Sequence, residues 1–380
     1  MPLFAIKMMI RDRARCLMII GLTFASFIIT QQAATFIGLM SRTYGFLTDT
    51  SQPDIWVMDE HVQYIDDVKP FRMAKLYQTR SISGVKWAVP LYKGVLRARL
   101  PAGNFQLCNV IGIDDATLIG GPSLITKGSI ENLRAPDAVI INNVGAEKKL
   151  YSVNKKGKKV PMQYGEIFEI NDTRAQVFGF CDSVRTFQSY PVVYTTFNQA
   201  RLFAPAERNL LSFVLVKAEE GVDSSQLAKL IKENTGLAAY TTRQFRNMTL
   251  KYYITQTGIS INFGIAVLLA FIIGIAIAGH TFYTFVHANL RHFATYKAMG
   301  ATNKLITKVI LVQAVMTATI GWSLGIGLAT LLGLLSGGSE LSFRLPWWLF
   351  LGSGIGIYLI TLFAALISLY KINYSRLNPE

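Results

Sequence analysis

Hydrophobic positions in this chain gather into four long runs, one near the start and three in the last third, with more than two hundred mostly polar residues between the first and second. The runs are Cys16 to Met40, Ile259 to Val286, Val309 to Leu335 and Pro346 to Tyr370, and none contains Asp, Glu, Lys or Arg. Each reaches the roughly 20 residues that a helix needs to cross about 30 Å of hydrocarbon. Continuous runs without alternation are the helical way to satisfy every backbone N–H and C=O in lipid. The pattern predicts four transmembrane helices, over 16–40, 258–286, 309–335 and 346–370. A cleaved signal peptide is the alternative for the first run, since basic residues precede it and Gln31-Gln32-Ala33-Ala34 could end one. The run continues to Met40, and a span is the expectation.

The segments flanking the spans set the orientation. Lys7, Arg11, Arg13 and Arg15 precede the first run, Arg291, Lys297, Lys304 and Lys308 lie between the second and third with no acid, and Lys371 and Arg376 follow the fourth. Basic residues in short flanks resist translocation. Both termini (1–15 and 371–380) and the loop 287–308 are therefore expected in the cytoplasm, and residues 41–257 outside. The short loop 336–345 balances Glu340 against Arg344, and Trp347 and Trp348 suit an aromatic belt at the outer interface. Residues 1–15 mix Ile6, Met9 and Ile10 with basic residues, the pattern of an interfacial helix.

Within 41–257, Asp54 to Met58 reads as a strand and Lys69 to Ser81 carries apolar residues at helical spacing. Val85 to Leu100 reads as extended structure broken at Pro90 and Gly94. Leu211 to Lys217 alternates as a strand, Asp223 to Asn234 is a helix opened by an acidic cap, and Leu237 to Thr241 is a further strand after Gly236. The middle, 105–194, is richer in Gly, Pro, Asn and β-branched residues and suggests an inserted, mostly β lobe. The expected fold is an α-helical membrane protein with one plus three spans and a large α+β extracytoplasmic domain. That domain has a split core (50–104 and 195–242), the inserted lobe, and a stalk helix over 243–257. No Gly or Pro interrupts the stalk before Gly258, so it is expected to continue into the second span.

Small residues recur every fourth position in the spans: Ala266, Ala270, Gly274 and Ala278; Gly321, Gly325, Ala329 and Gly333; Gly352 and Gly356. Such stripes let helix backbones approach where lipid gives no hydrophobic drive for association. Packing within one subunit and a face for a second copy are both open, and a homodimer or pseudo-dimer is the expectation, since four spans alone make a poor pathway.

Composition excludes more than it assigns. The net charge of +15 is partly span-flank charge and otherwise thinly spread, so nucleic acid is not an expected partner. Lys155, Lys156, Lys158 and Lys159 around Gly157 read as an exposed hairpin tip. Cys108 and Cys181 sit in strand-like contexts as expected free thiols, with a bridge between them the alternative. No Asp, Glu or Arg lies within a span to relay ions, and His280 reads as interfacial. The cluster Asp59, Glu60, His61, Asp66 and Asp67 reads as a solvated turn rather than a cation site. No nucleophile, base and orienting group can be nominated together, and no G-x-x-x-x-G-K-[ST] phosphate loop occurs, so neither an enzyme nor a nucleotide hydrolase of that type is expected, and no cofactor is expected to bind directly.

The loop after the second run reads Asn289-Leu-Arg-His-Phe-Ala-Thr-Tyr-Lys-Ala-Met-Gly-Ala301, and the chain closes on Tyr374-Ser-Arg-Leu-Asn-Pro-Glu380. Arg291, Ala294, Thr295, Lys297, Ala298, Met299, Gly300 and Ala301 resemble the signature of FtsX-like permeases, the MacB superfamily of ABC transporter membrane subunits. His292 stands where that family usually has Glu. The wording of the loop and the lack of a fused ATPase look most like DevC-type permeases. The resemblance implies a porter-like outer core, a coupling loop at Arg291 to Ala301 that contacts a separate cytoplasmic ABC ATPase dimer using ATP and Mg, and a second permease copy. It further implies a periplasmic membrane-fusion adaptor and a TolC-like outer-membrane channel around a bacterial inner-membrane exporter. Lipoprotein or lipid extraction of the LolC kind, and FtsX-like signalling to a periplasmic enzyme, are the alternatives within the same superfamily.

Overall fold

The computed structural model describes residues 13–50, 52–153, 158–184, 187–204, 210–288, 295, 298–300, 302–336 and 342–375. The expected interfacial helix before Arg13 and the tail after Ser375 lie outside them. Two compact units result, one built from residues 40–257 and one from the chain on either side.

Helix α1 (Arg13–Thr43) carries the first apolar run, and the short α2 (Gly45–Asp49) follows it. The α/β unit then runs β1 (Ile55–Met58), β2 (Phe71–Arg72), α3 (Ala74–Arg80), β3 (Val85–Arg99), β4 (Phe105–Ile113), β5 (Ile125–Gly128), β6 (Ala138–Asn142), α4 (Asn143–Lys148), β7 (Tyr151–Val153), β8 (Lys159–Pro161), β9 (Ile167–Ile170), β10 (Thr173–Cys181) and β11 (Val192–Thr196). It finishes with α5 (Phe197–Phe203), β12 (Leu210–Leu211), β13 (Phe213–Ala218), α6 (Ser224–Thr235), β14 (Ala238–Thr241) and α7 (Thr242–Gln256). The membrane unit continues with α8 (Ile259–Ala288), α9 (Asn303–Leu335) and α10 (Trp347–Ser375). Among the described residues four helices are thus long and apolar enough to cross a membrane.

The main sheet orders its strands β14-β1-β13-β3-β4-β11-β6-β10-β5, with β9 pairing both β10 and β3. Strands β3, β4, β11, β6, β10 and β9 therefore close into a ring around Cys108, Val110, Val139, Phe168, Ile170, Val177 and Val193, all buried. The first and last strands of the unit, β1 and β14, are antiparallel neighbours, with Ile55 opposite Thr241 and Met58 opposite Ala238. One strand serves both groups: β3 pairs β13 over Val85–Leu91 and β4 over Tyr92–Arg99.

That strand corrects the expected break at Pro90. Proline cannot donate to a ladder and is tolerated where no partner needs its N–H. The carbonyl of Leu91 accepts from Ser212 N–H at 3.2 Å and the backbone of Lys93 bonds the Ser212 hydroxyl, so odd-numbered residues face β13 and Pro90 faces the other edge. On that edge β4 pairs only from Tyr92 onward, so the missing donor leaves nothing unpaired. The helical pattern over 69–81 is also shorter than expected, since Phe71–Arg72 pairs with β12 before α3 begins.

Helix α6 follows its sequence signals closely. The Asp223 carboxylate accepts from Ser225 N–H at 3.2 Å, and Gly236 ends the helix at φ +68°, a left-handed conformation that favours glycine. The stalk helix does not continue into the second span: α7 stops at Gln256 and Gly258, at φ +67°, separates it from α8.

In the membrane unit Leu22 and Ser26 of α1 lie against Gly321 and Gly325 of α9, positions rising together, so these helices run the same way. Gly21 meets Ile277 and Ala25 meets Gly274, so α8 runs against α1, while Trp322 against Gly354 and Thr319 against Tyr358 set α10 against α9. The C-termini of α8 and α9 consequently lie at opposite ends of the bundle.

The centre of the α/β unit's first half is Trp56, fully buried, with the rings of Phe46, Phe213 and Phe245 at 5.9, 5.7 and 5.9 Å. Its Nε1–H donates to Thr242 Oγ1 at 3.2 Å. Trp56→Ala should cost about 3–5 kcal/mol, whereas Trp56→Phe, which keeps a ring and loses the hydrogen bond, should cost about 1 kcal/mol more than packing alone. Thermal and denaturant unfolding of the purified chain checks both.

Candidate functional site

The connection between α8 and α9 is described at Thr295, Ala298, Met299, Gly300 and Thr302; Arg291, His292, Ala294, Lys297 and Ala301 lie outside the described residues. Thr295 is helical and its carbonyl accepts the Met299 N–H at 3.1 Å. Gly300 then adopts φ +92°, and α9 begins after an extended Thr302. A helical turn closed by a left-handed glycine is a common C-terminal stop. Among the described residues nothing lies within 4 Å of where a Gly300 side chain would start, and the φ is one that favours glycine. Met299 is 69% exposed and Thr295 and Ala298 are exposed, which leaves a small apolar and hydroxyl surface facing away from the bundle. By the helix directions, this surface lies at the end of the bundle where α1 begins. The C-terminus of α1 and the N-terminus of α8 lie at the other end.

The small residues of the spans divide into two sets. A side-chain carbon at Gly321 would stand 2.7 Å from Leu22 Cβ, one at Gly325 would collide with Ser26, and one at Gly274 would stand 3.1 Å from Ala25 Cβ. Ala270 and Ala278 are buried and Ala266 half-buried on the same helix as Gly274. A side-chain carbon at Gly352 or Gly356 would meet no described residue within 4 Å outside its own helix backbone. Sequence reading passed over Gly21 and Gly354, which touch Ile277 and Trp322; Gly21 and Ala25 share the four-residue spacing and could have been found by it. His280 is exposed on α8, inside the apolar stretch Ile259–Thr284, and Trp347 and Trp348 stand exposed at the start of α10.

In the α/β unit a polar and aromatic cluster ties α7 to the sheet. Lys93 of β3 is only 3% exposed, yet it carries an ammonium that pairs with Asp66. Tyr253 of α7 donates to the same carboxylate at 3.4 Å; burial, with Asp66 as the next cause, raises its hydroxyl well above the ordinary tyrosine range. Tyr64 stacks on Tyr252 at 4.2 Å, and the Phe187 ring packs tilted against Tyr253 at 4.5 Å. The acidic cluster of the sequence is thereby split. Asp66 turns inward to Lys93, while Asp59 accepts from His61 and Asp67 from Gln63 N–H at 3.0 Å. Among the described residues no His, Cys, Asp and Glu cluster has the makings of a metal site. A lone lysine in a strand gives no sequence signal of burial, so this cluster was not foreseeable.

Cys108 and Cys181 are free and buried, and burial pushes both thiols up to about 12. The hairpin β7–β8 carries Lys159 over the Tyr151 ring at 4.2 Å, and its tip at 154–157 lies outside the described residues.

Residues 263–376 match the family described as FtsX-like permease C-terminal. No curated protein matches the chain. Among solved structures, the chain is similar to the extracellular domain of the noncanonic ABC-type transporter YknZ from Gram-positive bacteria, with 19% identity, TM-score 0.34, and coverage of 50% of this chain and 98% of that one. The periplasmic region of MacB from Actinobacillus actinomycetemcomitans aligns at 13% identity and TM-score 0.36 over 56% of this chain and 98% of that one. A domain of a putative permease from Porphyromonas gingivalis aligns at 13% identity and TM-score 0.30 over 49% of this chain and 85% of that one.

Two outcomes follow from the α/β unit. Asp66→Ala strands a buried ammonium and should cost about 3–5 kcal/mol, more than Lys93→Met, which leaves a carboxylate that still reaches water; unfolding of the two variants measures the difference. With pKa values near 12 the thiolate fraction at pH 8 is about one in ten thousand, so a maleimide should leave Cys108 and Cys181 unmodified in the folded chain and label both after denaturation.

Proposed function

From the match of residues 263–376 to the FtsX-like permease C-terminal family, we propose that this chain is the membrane subunit of an ABC exporter of the MacB and DevC kind, driven by a separate ATPase. The observation that carries the proposal is the match of α8, α9 and α10 to that family in a chain whose described residues hold four helices long and apolar enough to cross a membrane. In this reading the connection, with Arg291, His292, Thr295, Lys297 and Met299, docks on a cytoplasmic ATPase dimer, and ATP and Mg act there. Helices α1 and α8 are joined covalently to the α/β unit, which lies outside the inner membrane. Movement of the bundle changes the unit's posture and expels substrate through a periplasmic adaptor and an outer-membrane channel. A second copy of the chain completes the machine, with the open face around Gly352 and Gly356 available to it.

Gly300 is the most direct test of the docking surface. A valine there must hold a β-branched side chain at φ +92°, at a local cost of about 1–3 kcal/mol, without touching the bundle core. Purification in mild detergent should bring down an ABC ATPase with the wild-type chain and lose it with Gly300→Val, while membrane insertion and melting of the α/β unit stay unchanged. Recovery of no ATPase with the wild type, or equal recovery with the variant, would overturn the assignment.

A further inference from the structure

The α/β unit contains a cleft of about 630 Å³ whose lining includes Leu47, Pro53, Asp54, Ser224, Arg243 and Arg246. That volume falls within the roughly 300–1,000 Å³ of small-molecule sites. Arg243 and Arg246 are one turn apart on α7, which sets their side chains on one face with about 5–6 Å between Cβ atoms.

The charge in this cleft is unbalanced. Neither guanidinium has a carboxylate partner among the described residues; Arg246 lies over the Tyr44 ring at 5.7 Å, and Arg243 is exposed. The carboxylate in the lining, Asp54, is already engaged by Lys217 Nζ at 2.8 Å and by Ala218 N–H at 3.1 Å. Arg243 sits in the first turn of α7, where the helix's own N–H groups oppose a cation, and that turn contains no acid. Arg243 therefore stands where the local field disfavours a cation, with Arg246 one turn further on, and both exposed guanidiniums line a cavity large enough for a ligand. Planar guanidinium forks match the oxygens of a phosphate. Leu47 and Pro53, both buried, close the floor of the cleft, whose volume exceeds that of a phosphate group and leaves room for the organic part of such a molecule.

We propose that this cleft binds a phosphate group carried on an organic body, the chemistry shared by an anionic phospholipid headgroup and a soluble phosphate ester. The site does not depend on the exporter reading, because no partner ATPase enters its geometry. Binding is measured on the full chain in dodecyl maltoside by calorimetry, with dihexanoyl phosphatidylglycerol, glycerol phosphate and the phosphate-free dihexanoylglycerol as probes. At least one phosphate probe should bind at a single saturable site, and dihexanoylglycerol should not. The double variant Arg243→Gln with Arg246→Gln should weaken binding at least about tenfold at unchanged melting temperature, and Arg243→Lys with Arg246→Lys should retain part of it. Phosphatidylglycerol binding without glycerol phosphate binding identifies a lipid headgroup as the source, and equal binding identifies a soluble ester. Absence of saturable binding by both phosphate probes, or unchanged affinity in the glutamine variant, would overturn the site.

Discussion

The α/β unit depends on the pairing of its own two ends. Strand β1, the first after α1 and α2, lies against β14, the last before α7, through four residue pairs from Ile55–Thr241 to Met58–Ala238. Thr242 fastens the junction: its N–H donates to the Asp54 carbonyl at 3.0 Å, its hydroxyl donates to the Pro53 carbonyl at 2.9 Å, and it accepts from Trp56 Nε1. Both covalent connections to the membrane unit therefore leave from one seam. From α7 the packed contacts continue through Tyr253 and Asp66 to Lys93, and so to β3, the strand shared by both parts of the sheet.

The membrane unit solves a different problem with different means. Apolar side chains gain nothing from leaving lipid for one another, so close backbone approach must provide the attraction. Gly321 and Gly325 bring α9 against Leu22 and Ser26, and Ser26 Oγ donates to the Trp322 carbonyl at 3.3 Å. Trp322 in turn packs on Gly354 and donates to Ser353 Oγ at 3.3 Å. Helix α1 is thus held in the bundle although more than two hundred residues separate it from α8.

Much of this was legible because each signal had one dominant cause. Uncharged runs longer than 20 residues admit few structures besides a spanning helix, and Asp223 with Gly236 marks both ends of α6 through local backbone chemistry alone. The signals that misled were local ones overruled by neighbours far along the chain. Pro90 reads as a breaker, and only the late start of β4 pairing makes it harmless. Phe71–Arg72 fits a helical period and is drawn into a strand by Leu210–Leu211. The single Gly258 was legible as a residue but not as a joint, since its left-handed conformation is set by what α7 and α8 each require. The site was the least legible part. The residues of the 289–301 connection stood out by resemblance, whereas burial of Lys93 and the charge imbalance at Arg243 and Arg246 depend on which segments meet in space.

The proposed exporter requires that nucleotide turnover by a partner ATPase move the α/β unit. Spin labels on Glu147→Cys in the α/β unit and Trp347→Cys at the start of α10, in a chain with Cys16→Ser bound to its ATPase in nanodiscs, report that movement as a distance distribution. The account predicts a shift of that distribution between the nucleotide-free complex and one trapped with ATP and vanadate. An unchanged distribution in a complex that hydrolyses ATP would contradict it.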